Sequence, residues 1–576
     1  MSRRWPYVAV TAVLAVLTTV WAIPHLDDGA ATGYSPLSDL TSGQAGAIHV
    51  WIRGGDLLGV SLATHIDGLA ASLLLLAAGV ALLVQIYSTA YLGDDPRYRS
   101  YASIVILFLL GMIAVVAADD FFVLLIGWEV MGLCSYLLIS HEWGKEPARA
   151  GAVKAFLITR FGDLGMLIAI LTIGQTYGTY RISEVLAVEP QHATGIGLLL
   201  LLAVVAKSAQ FPLHTWLPDA MPGPTPISAL IHAATMVAAG VYLVARLLPL
   251  FAASELVMTL LALIACTTML MGALFALTGS DLKRILAWST VSQLAYMFAA
   301  LAVGDRAAGI DHLLSHGAFK ALLFLAAGCL MHAVGTSALS SMGGLRLSMP
   351  ATFAATTVGL AALAGVVPTS GFFTKDEIIA AAHRATEGDA PVSAGIAWLV
   401  LVVALVTAFV TAAYAARLWV TVFFGPAQQA HDAPRTMTLP IVILAITTLA
   451  LSIGKPVHLG VGLLTTFVAA AGIGLVWWLR ERRIRLPLDW LRRPLRAELG
   501  IDTAFTRWIP AMFAGAARAV VVIDRDGVDS YSRSTSYGAE LGSRLLNLGQ
   551  SKNVQRYASA LAVGVLVLAA FAVVWS

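Results

Sequence analysis

The sequence predicts an all-α polytopic membrane protein with about fifteen transmembrane helices of ~20 residues each. Hydrophobic residues make up 59% of the 576 positions and charged residues only 12%, whereas a soluble domain carries about 25% charged residues. Long apolar runs recur along the chain, and two of them are interrupted by proline with charged residues beside the interruption. The composition and the recurring apolar runs predict the fold class, and the proline interruptions indicate where the functional residues lie.

The apolar runs and the basic segments between them give a consistent path through the membrane. The predicted spans lie near 6–23, 66–92, 101–118, 120–140, 152–174, 195–217, 225–250, 254–279, 284–303, 309–331, 350–382, 394–424, 437–454, 460–479 and 556–575. A cytoplasmic N-terminus puts the basic segments 93–100, 141–151, 280–284 and 480–496 on the cytoplasmic side. We therefore expect a multi-pass protein of the cell (inner or plasma) membrane with a cytoplasmic N-terminus.

The N-terminal apolar run has two interpretations, a cleaved signal peptide or a first membrane anchor. Arg3 and Arg4 precede it, as in both cases. Trp21, Ile23 and Pro24 stand where a signal peptide would have small residues at a cleavage site. The sequence therefore favours a retained anchor helix.

The first interruption follows Lys207, which ends an apolar run. Five prolines and a histidine, His232, come after it; the prolines are Pro212, Pro218, Pro222, Pro224 and Pro226. Proline inside a helix removes a backbone donor and clashes with the preceding turn, so a helix must break here. Broken helices at membrane depth face protein or a water-filled cavity, and charges beside such a break are typical of an ion path.

The second interruption has Pro368 and Gly371 within an apolar run, followed by Lys375, Asp376 and Glu377. Two interrupted segments at comparable places in a long apolar chain are typical of inverted repeats in transporters. Lys375 and Asp376 would then provide the exit to one side of the membrane.

Two carboxylates lie inside predicted spans. Glu129 is near the middle of one apolar run, and a lone carboxylate there must be paired or able to take up a proton. We expect Lys207 to be its partner, forming a pair that hands a proton along; the alternative is a static ion pair, which adds little stability over apolar packing. Asp163 has Arg160 one turn earlier as its expected partner.

Three basic side chains recur at four-residue spacing, His312, His316 and Lys320, and form one stripe on a helix. Imidazoles and an amine in a row fit a proton relay. A metal site at the histidine pair is the alternative, and His312 alone could cap the helix near the surface. His232 could link Lys207 to the stripe or be structural, and Lys283 could be a relay residue or a cytoplasmic surface charge.

Other chemistry is missing from the sequence. It contains no phosphate-binding loop, dinucleotide fingerprint or nucleophile elbow. Its three cysteines are scattered, so they supply neither a zinc site nor an iron–sulfur cluster, and a net charge of +3 does not suggest nucleic-acid binding. We expect no metal, nucleotide, flavin or redox centre in this chain.

Residues 481–555 are expected to lie along the cytoplasmic membrane surface as an amphipathic helix or broken helices, with an ordinary loop as the alternative.

Six stretches resemble the antiporter-like subunits of respiratory complex I, and most closely the subunit called L in bacteria or chain 5 in mitochondria. They are GWEVMGLCSYLLIS, KAFLITRFGDLGML, KSAQFPLHTWLPDAMPGPTPISALIHAATMVAAGVYLVAR, DLKRILAWSTVSQLAYMF, HLLSHGAFKALLFLAAG and GFFTKDEI, within roughly 66–425. The resemblance implies two inverted five-helix repeats, each with a discontinuous helix, then a lateral helix and a final anchor. The residues that match the family's proton-path positions are Glu129, Lys207, His232, His312, His316, Lys320 and Lys375; Asp163, Lys283 and Asp376 are secondary candidates.

The resemblance also implies partners and a function. NADH, FMN, iron–sulfur clusters and quinone would be bound by partner subunits, and this chain would be a proton-translocating subunit of a translocase. One span rather than the family's usual two precedes residues 64–70, and the chain is short for subunit L. A cation/proton antiporter subunit, a proton-driven inorganic-carbon uptake subunit and a purely structural scaffold are the alternatives.

The predicted domains follow from the pattern and the resemblance together. They are an anchor helix with an extracytoplasmic loop (1–65), an antiporter-like core (66–425), further transmembrane helices (426–480), the lateral segment (481–555) and the last anchor (556–576).

Overall fold

The chain is helical in this computed structural model, which describes residues 4–26, 63–233, 235–388, 390–426, 430–482, 493–495, 497–503, 507–550 and 552–575. The chain divides into two units, Met1–Glu498 and Leu499–Ser576. Most of the expected loop ahead of residue 65 and much of the basic run that begins at residue 480 lie outside the described residues.

The first unit contains sixteen main helices among the described residues. They are α1 (Trp5–Ala22), α2 (Gly68–Tyr91), α3 (Tyr98–Ala117), α4 (Phe121–Ile139), α5 (Glu146–Tyr177), α6 (Ala193–Lys207), α7 (Thr225–Ala233), α8 (Ala238–Arg246), α9 (Glu255–Thr278), α10 (Leu282–Ala302), α11 (Arg306–Val334), α12 (Pro350–Ala364), α13 (Ser370–Ala385), α14 (Ala394–Phe423), α15 (Arg435–Ala450) and α16 (Leu459–Glu481).

Short helical turns connect these helices. They are Ile23–His25, Ser140–Glu142, Ile182–Leu186, Trp216–Asp219, Leu248–Ala252, Leu339–Ser341 and Glu498–Gly500. Isolated antiparallel bridges pair Asp120 with Arg181 and Asp281 with Ala338, so the start of α4 is tied to the chain after α5 and the start of α10 to the chain after α11.

Twelve helices of the described chain are long and apolar enough to cross a membrane, counting Thr225–Arg246 (α7 and α8) as one. Three shorter apolar helices, α6, α12 and α15, coincide with the other three predicted spans. The predicted polytopic all-α class is confirmed. Two of the shorter helices, α6 and α12, show where a predicted span ran past a break: the segment 195–217 is continuously helical only to Lys207, and the segment 350–382 divides into α12 and α13.

Aspartates begin four of these helices. The carboxylates of Asp67, Asp120, Asp281 and Asp305 accept backbone N–H bonds at the N-termini of α2, α4, α10 and α11. Such a cap satisfies donors that have no partner within the helix and contributes about 1 kcal/mol. The caps fix the start of the two helix pairs, α4–α5 and α10–α11, that carry most of the candidate residues.

Glycines bring α5 close to α6. A Cβ on Gly162 would overlap the Cβ of Ala206, and one on Gly165 would lie 2.7 Å from the carbonyl oxygen of Leu199. Close backbone approach through small residues is typical of helix association in membranes. The contact places Asp163, the neighbour of Gly162, against the C-terminal end of α6.

The chain is broken at both places that the prolines indicate and at one more. Residues 208–215 are not helical between α6 and the short helix Trp216–Asp219, and residues 365–369 separate α12 from α13. A further break separates α7 from α8, and His232 lies at its edge. No proline or glycine announces that third break, which the sequence did not predict.

The second unit consists of helices α17 (Ile509–Val522) and α18 (Asp529–Gly549), joined by the π-helical turn Ile523–Val528, and of α19 (Val554–Trp575). A π-helical turn carries the chain through Asp524, Asp526 and Gly527 without a break. One extra residue in a turn is accommodated by such a π bulge. α19 is one of the twelve candidate spans.

We predict that Gly162→Ala lowers the thermal stability of the assembled protein in detergent. The added methyl group would overlap Ala206 and force α5 and α6 apart, and overpacking of this kind costs about 1–3 kcal/mol. Gly195→Ala on α6 is the control, since nothing lies within 4 Å of its Cβ position. Equal melting temperatures for the two variants in a thermal-unfolding assay would contradict the packing described here.

Candidate ion path

Two carboxylates and two cations alternate across α4, α5 and α6. Arg160 pairs with Glu129 and also lies 3.2 Å from the Oδ2 of Asp163. The same Oδ2 is 3.7 Å from the Nζ of Lys207. Glu129 and Arg160 are partly exposed (34% and 28%), whereas Lys207 is fully buried. The row therefore runs from the side of the helix bundle into its interior with no net charge when all four groups are ionised.

Trp128 supports the inner end of this row. Its indole N–H donates to the Oδ1 of Asp163 at 2.6 Å, and its carbonyl accepts from the Nζ of Lys207 at 3.1 Å. The Lys207 ammonium also lies 5.1 Å from the Trp128 ring centre, within the range of a cation–π contact. One residue thus orients both members of the buried pair.

The predicted direct pair between Glu129 and Lys207 is corrected. In the described part of the chain Glu129 pairs with Arg160, and Lys207 pairs with Asp163. The reason is geometric: Arg160 lies one turn from Asp163 on α5 and reaches across to α4, so it takes the position between the two acids. The expected contact of Arg160 with Asp163 is present.

Side chains satisfy the backbone at the first break. The Trp216 indole donates to the carbonyl of Ala206 at 2.9 Å, and the Ser208 hydroxyl donates to the carbonyl of Val237 at 2.7 Å. His214 is buried in this break, and neither of its ring nitrogens has a partner in the described chain. The sequence analysis did not select His214, although its place between Pro212 and Pro218 was a usable signal.

Lys283 is a buried residue of the first break and not a surface charge. Its Nζ donates to the carbonyls of Met221 at 2.5 Å and Gly223 at 2.7 Å. This burial excludes the interpretation as a surface charge, since the side chain turns inward from the first turn of α10 toward the proline-rich loop; the relay role stays a prediction.

An ion-pair chain holds the same loop from outside. Asp219 pairs with Lys154 at 2.6 Å and with Arg284 at 2.8 Å, and Arg284 pairs with Glu498 at 2.5 Å. The loop is therefore fastened to α5, to α10 and to the segment that follows α16.

His232 lies at the end of α7 and packs against α11. Its ring centre is 4.7 Å from that of Phe324, one turn beyond Lys320 on α11. Both of its ring nitrogens are buried without a partner in the described chain. The position fits the predicted link toward the stripe on α11, and water is the partner that such buried nitrogens normally require.

The stripe on α11 is fully buried. His312 Nδ1 lies 2.8 Å from the hydroxyl of Thr374 and its Nε2 lies 3.2 Å from the Oε1 of Gln293. The rings of His312 and His316 are 6.3 Å apart, and His316 has no hydrogen-bond partner among the described residues. The idea that His312 caps a helix near the surface is wrong, because its side chain is in the interior between α10 and α13.

The amines of Lys320 and Lys375 donate hydrogen bonds to oxygen atoms of the protein. Lys320 Nζ donates to the carbonyl of Leu286 at 3.1 Å and to the hydroxyl of Ser289. Lys375 Nζ donates to the carbonyl of Leu363, the last turn of α12, and lies 5.6 Å from the ring centre of Tyr296. Asp376 accepts the backbone N–H of His458 at 2.9 Å.

Lys207, Lys283, Lys320 and Lys375 share one feature, a hydrogen bond from the amine to a main-chain carbonyl. A neutral amine still donates N–H bonds, so this arrangement can persist when the proton leaves. Within the residues that the structure describes, no three His, Cys, Asp or Glu side chains form a group that could hold a metal ion. Because the carbonyl accepts from the amine in either protonation state, these lysines are suited to proton exchange.

Two family models match the sequence. The model described as "NADH:quinone oxidoreductase/Mrp antiporter, TM" matches residues 118–411, and that described as "NADH-Ubiquinone oxidoreductase (complex I), chain 5 N-terminus" matches residues 51–102. The first match covers the row of charges and the stripe, and the second covers residues ahead of them.

Similar proteins span several complexes. NADH-quinone oxidoreductase subunit L of Mycobacterium tuberculosis is 37% identical in an alignment 565 positions long that covers 91% of this chain and 88% of that protein. F(420)H(2) dehydrogenase subunit L of Methanosarcina mazei is 41% identical in an alignment 425 positions long that covers 67% of this chain and 62% of that protein. The solved structure of the Mrp complex from Dietzia sp. contains a chain 28% identical, with a TM-score of 0.66; the alignment covers all of this chain and 63% of that one.

We predict that Asp163→Asn destabilises the protein by about 3–5 kcal/mol, because it leaves the buried Lys207 without its carboxylate. The double variant Asp163→Asn with Lys207→Met removes both charges and should recover much of the melting temperature. Glu146→Gln is the control, since its pair with Arg149 is exposed and such pairs contribute about 0–1 kcal/mol. Additive losses in the double variant would contradict the pairing.

Proposed function

The chain belongs to the family of antiporter-like membrane subunits that includes complex I subunit L and chain 5, and from this premise we propose that it translocates protons within a redox-driven pump. The pump would be of the NADH-quinone oxidoreductase type, with the chain as one subunit of the translocase. It would work beside other membrane-arm subunits in the lipid bilayer of the cell (inner or plasma) membrane.

The observation that carries the proposal is the burial of six titratable side chains within and beside apolar helices. The exposed fraction is 0% for Lys207, His232, His312, His316 and Lys320, and 3% for Lys375. Placing amines and imidazoles away from water costs several kcal/mol each. Such groups in membrane segments mark ion and proton pathways. A purely structural scaffold would not need them.

The first half of the path would begin at Glu129. A neighbouring subunit would change the charge of this partly exposed carboxylate. Arg160 would then move toward Glu129 or be released toward Asp163. Asp163 would then hold Lys207 more or less strongly. The result is a switch in which the proton on Lys207 is retained or released, with Arg160 as the moving cation.

The second half would carry the released proton along the interior. His232 lies between the first break and α11, and Lys320, His316 and His312 follow at one-turn spacing. Buried water would complete the hydrogen bonds that His232 and His316 lack. Lys283 beside the loop of the first break would bias this transfer electrostatically. Lys375 would receive the proton from the stripe, and Asp376 lies beside it at the exit.

The energy must come from outside the chain. Moving one charge against the membrane potential requires about 2.3 kcal/mol per 100 mV. We propose that partner subunits hold NADH, FMN, iron–sulfur clusters and quinone, and that conformational or electrostatic change reaches this chain at Glu129.

Several features support an inverted repeat in the core of residues 66–425. The pairs α4–α5 and α10–α11 each start at an aspartate cap, and each start is bridged to the chain after the second helix. Each pair is followed by a short apolar helix and then a break. Lys207 lies just before the first break, and Lys375 lies on the helix after the second. α10 is the fifth crossing after α4 when α7 and α8 count as one, and this odd offset gives the two helices opposite orientations. A cytoplasmic N-terminus and the five-part domain division remain part of this proposal.

A cation/proton antiporter subunit is the second candidate. The likeness to a chain of the Mrp complex over the full length of this protein favours it. Copurification with iron–sulfur and quinone-reducing subunits supports the pump. Sodium-dependent proton movement by a complex without those subunits supports the antiporter. Copurification with a soluble partner supports a solute-uptake subunit.

We predict that Lys320→Ala in the assembled complex reduces proton pumping per electron pair at least severalfold while quinone reduction continues. The variant removes the amine that follows the two histidines of the stripe. Lys145→Ala, in an exposed loop pair with Glu142, is the control and should pump normally. Proton uptake by inverted vesicles, with NADH oxidation followed in the same sample, measures both quantities. Unchanged pumping by Lys320→Ala would defeat the relay.

A further inference from the structure

A polar cavity of about 280 Å3 lies beside the end of the stripe, between α11, α13 and the loop that joins α15 to α16. Its walls include Asp311, Thr374, Glu377 and Lys455. A water molecule occupies about 30 Å3 of liquid volume, so the cavity has room for several. Its charged lining makes water its natural content.

Thr374 joins this cavity to the interior. Its side chain lines the cavity, and its hydroxyl oxygen lies 2.8 Å from the Nδ1 of His312. Lys375, the next residue, does not line the cavity; its amine points toward the carbonyl of Leu363. A single hydroxyl therefore separates the buried imidazole from the cavity.

The loop at residues 453–458 forms one wall of the cavity and is held in place by charged contacts. Lys455 pairs with Asp311 of α11, and the His458 imidazole lies 2.9 Å from the Oε2 of Glu377 on α13. The backbone N–H of His458 donates to Asp376. The loop is thus fastened to both helices that flank Thr374.

We propose that this cavity is the aqueous terminus of the proton path, that Thr374 connects it to His312, and that the loop at residues 453–458 is its lid. The proposal rests on the proposed function and replaces Lys375 with Thr374 as the last protein group on the path. Lys375 and Asp376 then act beside the path, Lys375 by its charge and Asp376 by holding the lid at His458.

The transfer balances as a proton relay. Protonated His312 donates its Nδ1 proton to the Thr374 oxygen as the hydroxyl proton passes to a water in the cavity. For this transfer the Thr374 hydroxyl gives up its hydrogen bond to the carbonyl oxygen of Ser370, which is 3.1 Å from the hydroxyl oxygen. The imidazole becomes neutral, the threonine regains a hydroxyl proton, and the cavity gains a hydronium. No bond other than O–H and N–H changes, and the hydroxyl resets by rotation.

The first test measures whether water fills the cavity. Phe373 lines it, whereas the adjacent Phe372 is buried on another side of α13. In the full complex, Phe373→Cys should react with a charged, membrane-impermeant methanethiosulfonate at least tenfold faster than Phe372→Cys. The three native cysteines are buried and give the background. Equal rates for the two variants would overturn the aqueous cavity.

The second test measures the link through the hydroxyl. Thr374→Val keeps the shape but removes the hydroxyl, and should reduce pumping at least fivefold while electron transfer continues. Thr374→Ser retains the hydroxyl and should keep at least half of the pumping. If the valine variant does not assemble, Thr374→Ala takes its place.

The outcomes separate this inference from the proposed function. Normal pumping by Thr374→Val, or equal losses in the valine and serine variants, overturns the role of Thr374. If Lys320→Ala pumps normally, the proposed function fails instead. Loss in Lys320→Ala together with normal pumping in Thr374→Val means that the path is real and leaves by another route.

Discussion

The structure depends on holding lysine amines in an apolar interior. Lys207, Lys283, Lys320 and Lys375 each donate to a main-chain carbonyl, and of these four only Lys207 has a carboxylate within 4 Å among the described residues. A carbonyl accepts from an amine in either protonation state, whereas a carboxylate strongly favours the charged one. The bundle therefore solvates these amines without fixing their protons, and the helix breaks supply part of the carbonyls.

The two ends of the path are built differently because they meet different surroundings. At the Glu129 end, charges of both signs alternate and a flexible arginine lies between two acids. At the other end, His312 meets neutral groups, an amide and a hydroxyl, and the charged residues Asp311, Glu377 and Lys455 line the cavity beyond Thr374. The first end is suited to sensing a neighbour's charge and the second to contact with water.

The sequence predicted the helical class, both proline breaks and the buried titratable residues, because apolar runs, prolines and isolated charges are local signals. It predicted the contact of Arg160 with Asp163 but not the partners of Glu129 and Lys207. Arg160 takes the place expected of Lys207 because helix packing, and not spacing along the chain, decides which cation reaches Glu129. Likewise, Thr374 and Gln293 are ordinary polar residues in sequence, and only the packing of α10 and α13 against α11 brings them to His312. The break after α7 has no proline or glycine to announce it.

The tight contact of α5 with α6 limits how the molecule can move. Gly162 and Gly165 place the two backbones in direct contact, and Gly151 does the same for α5 and the carbonyl of Asp219. Three such contacts along one helix make α5, α6 and the proline-rich loop a single stiff body, since packed cores do not deform gradually. Within this body, motion during a working cycle is then left to side-chain rotation, such as that of Arg160 between Glu129 and Asp163.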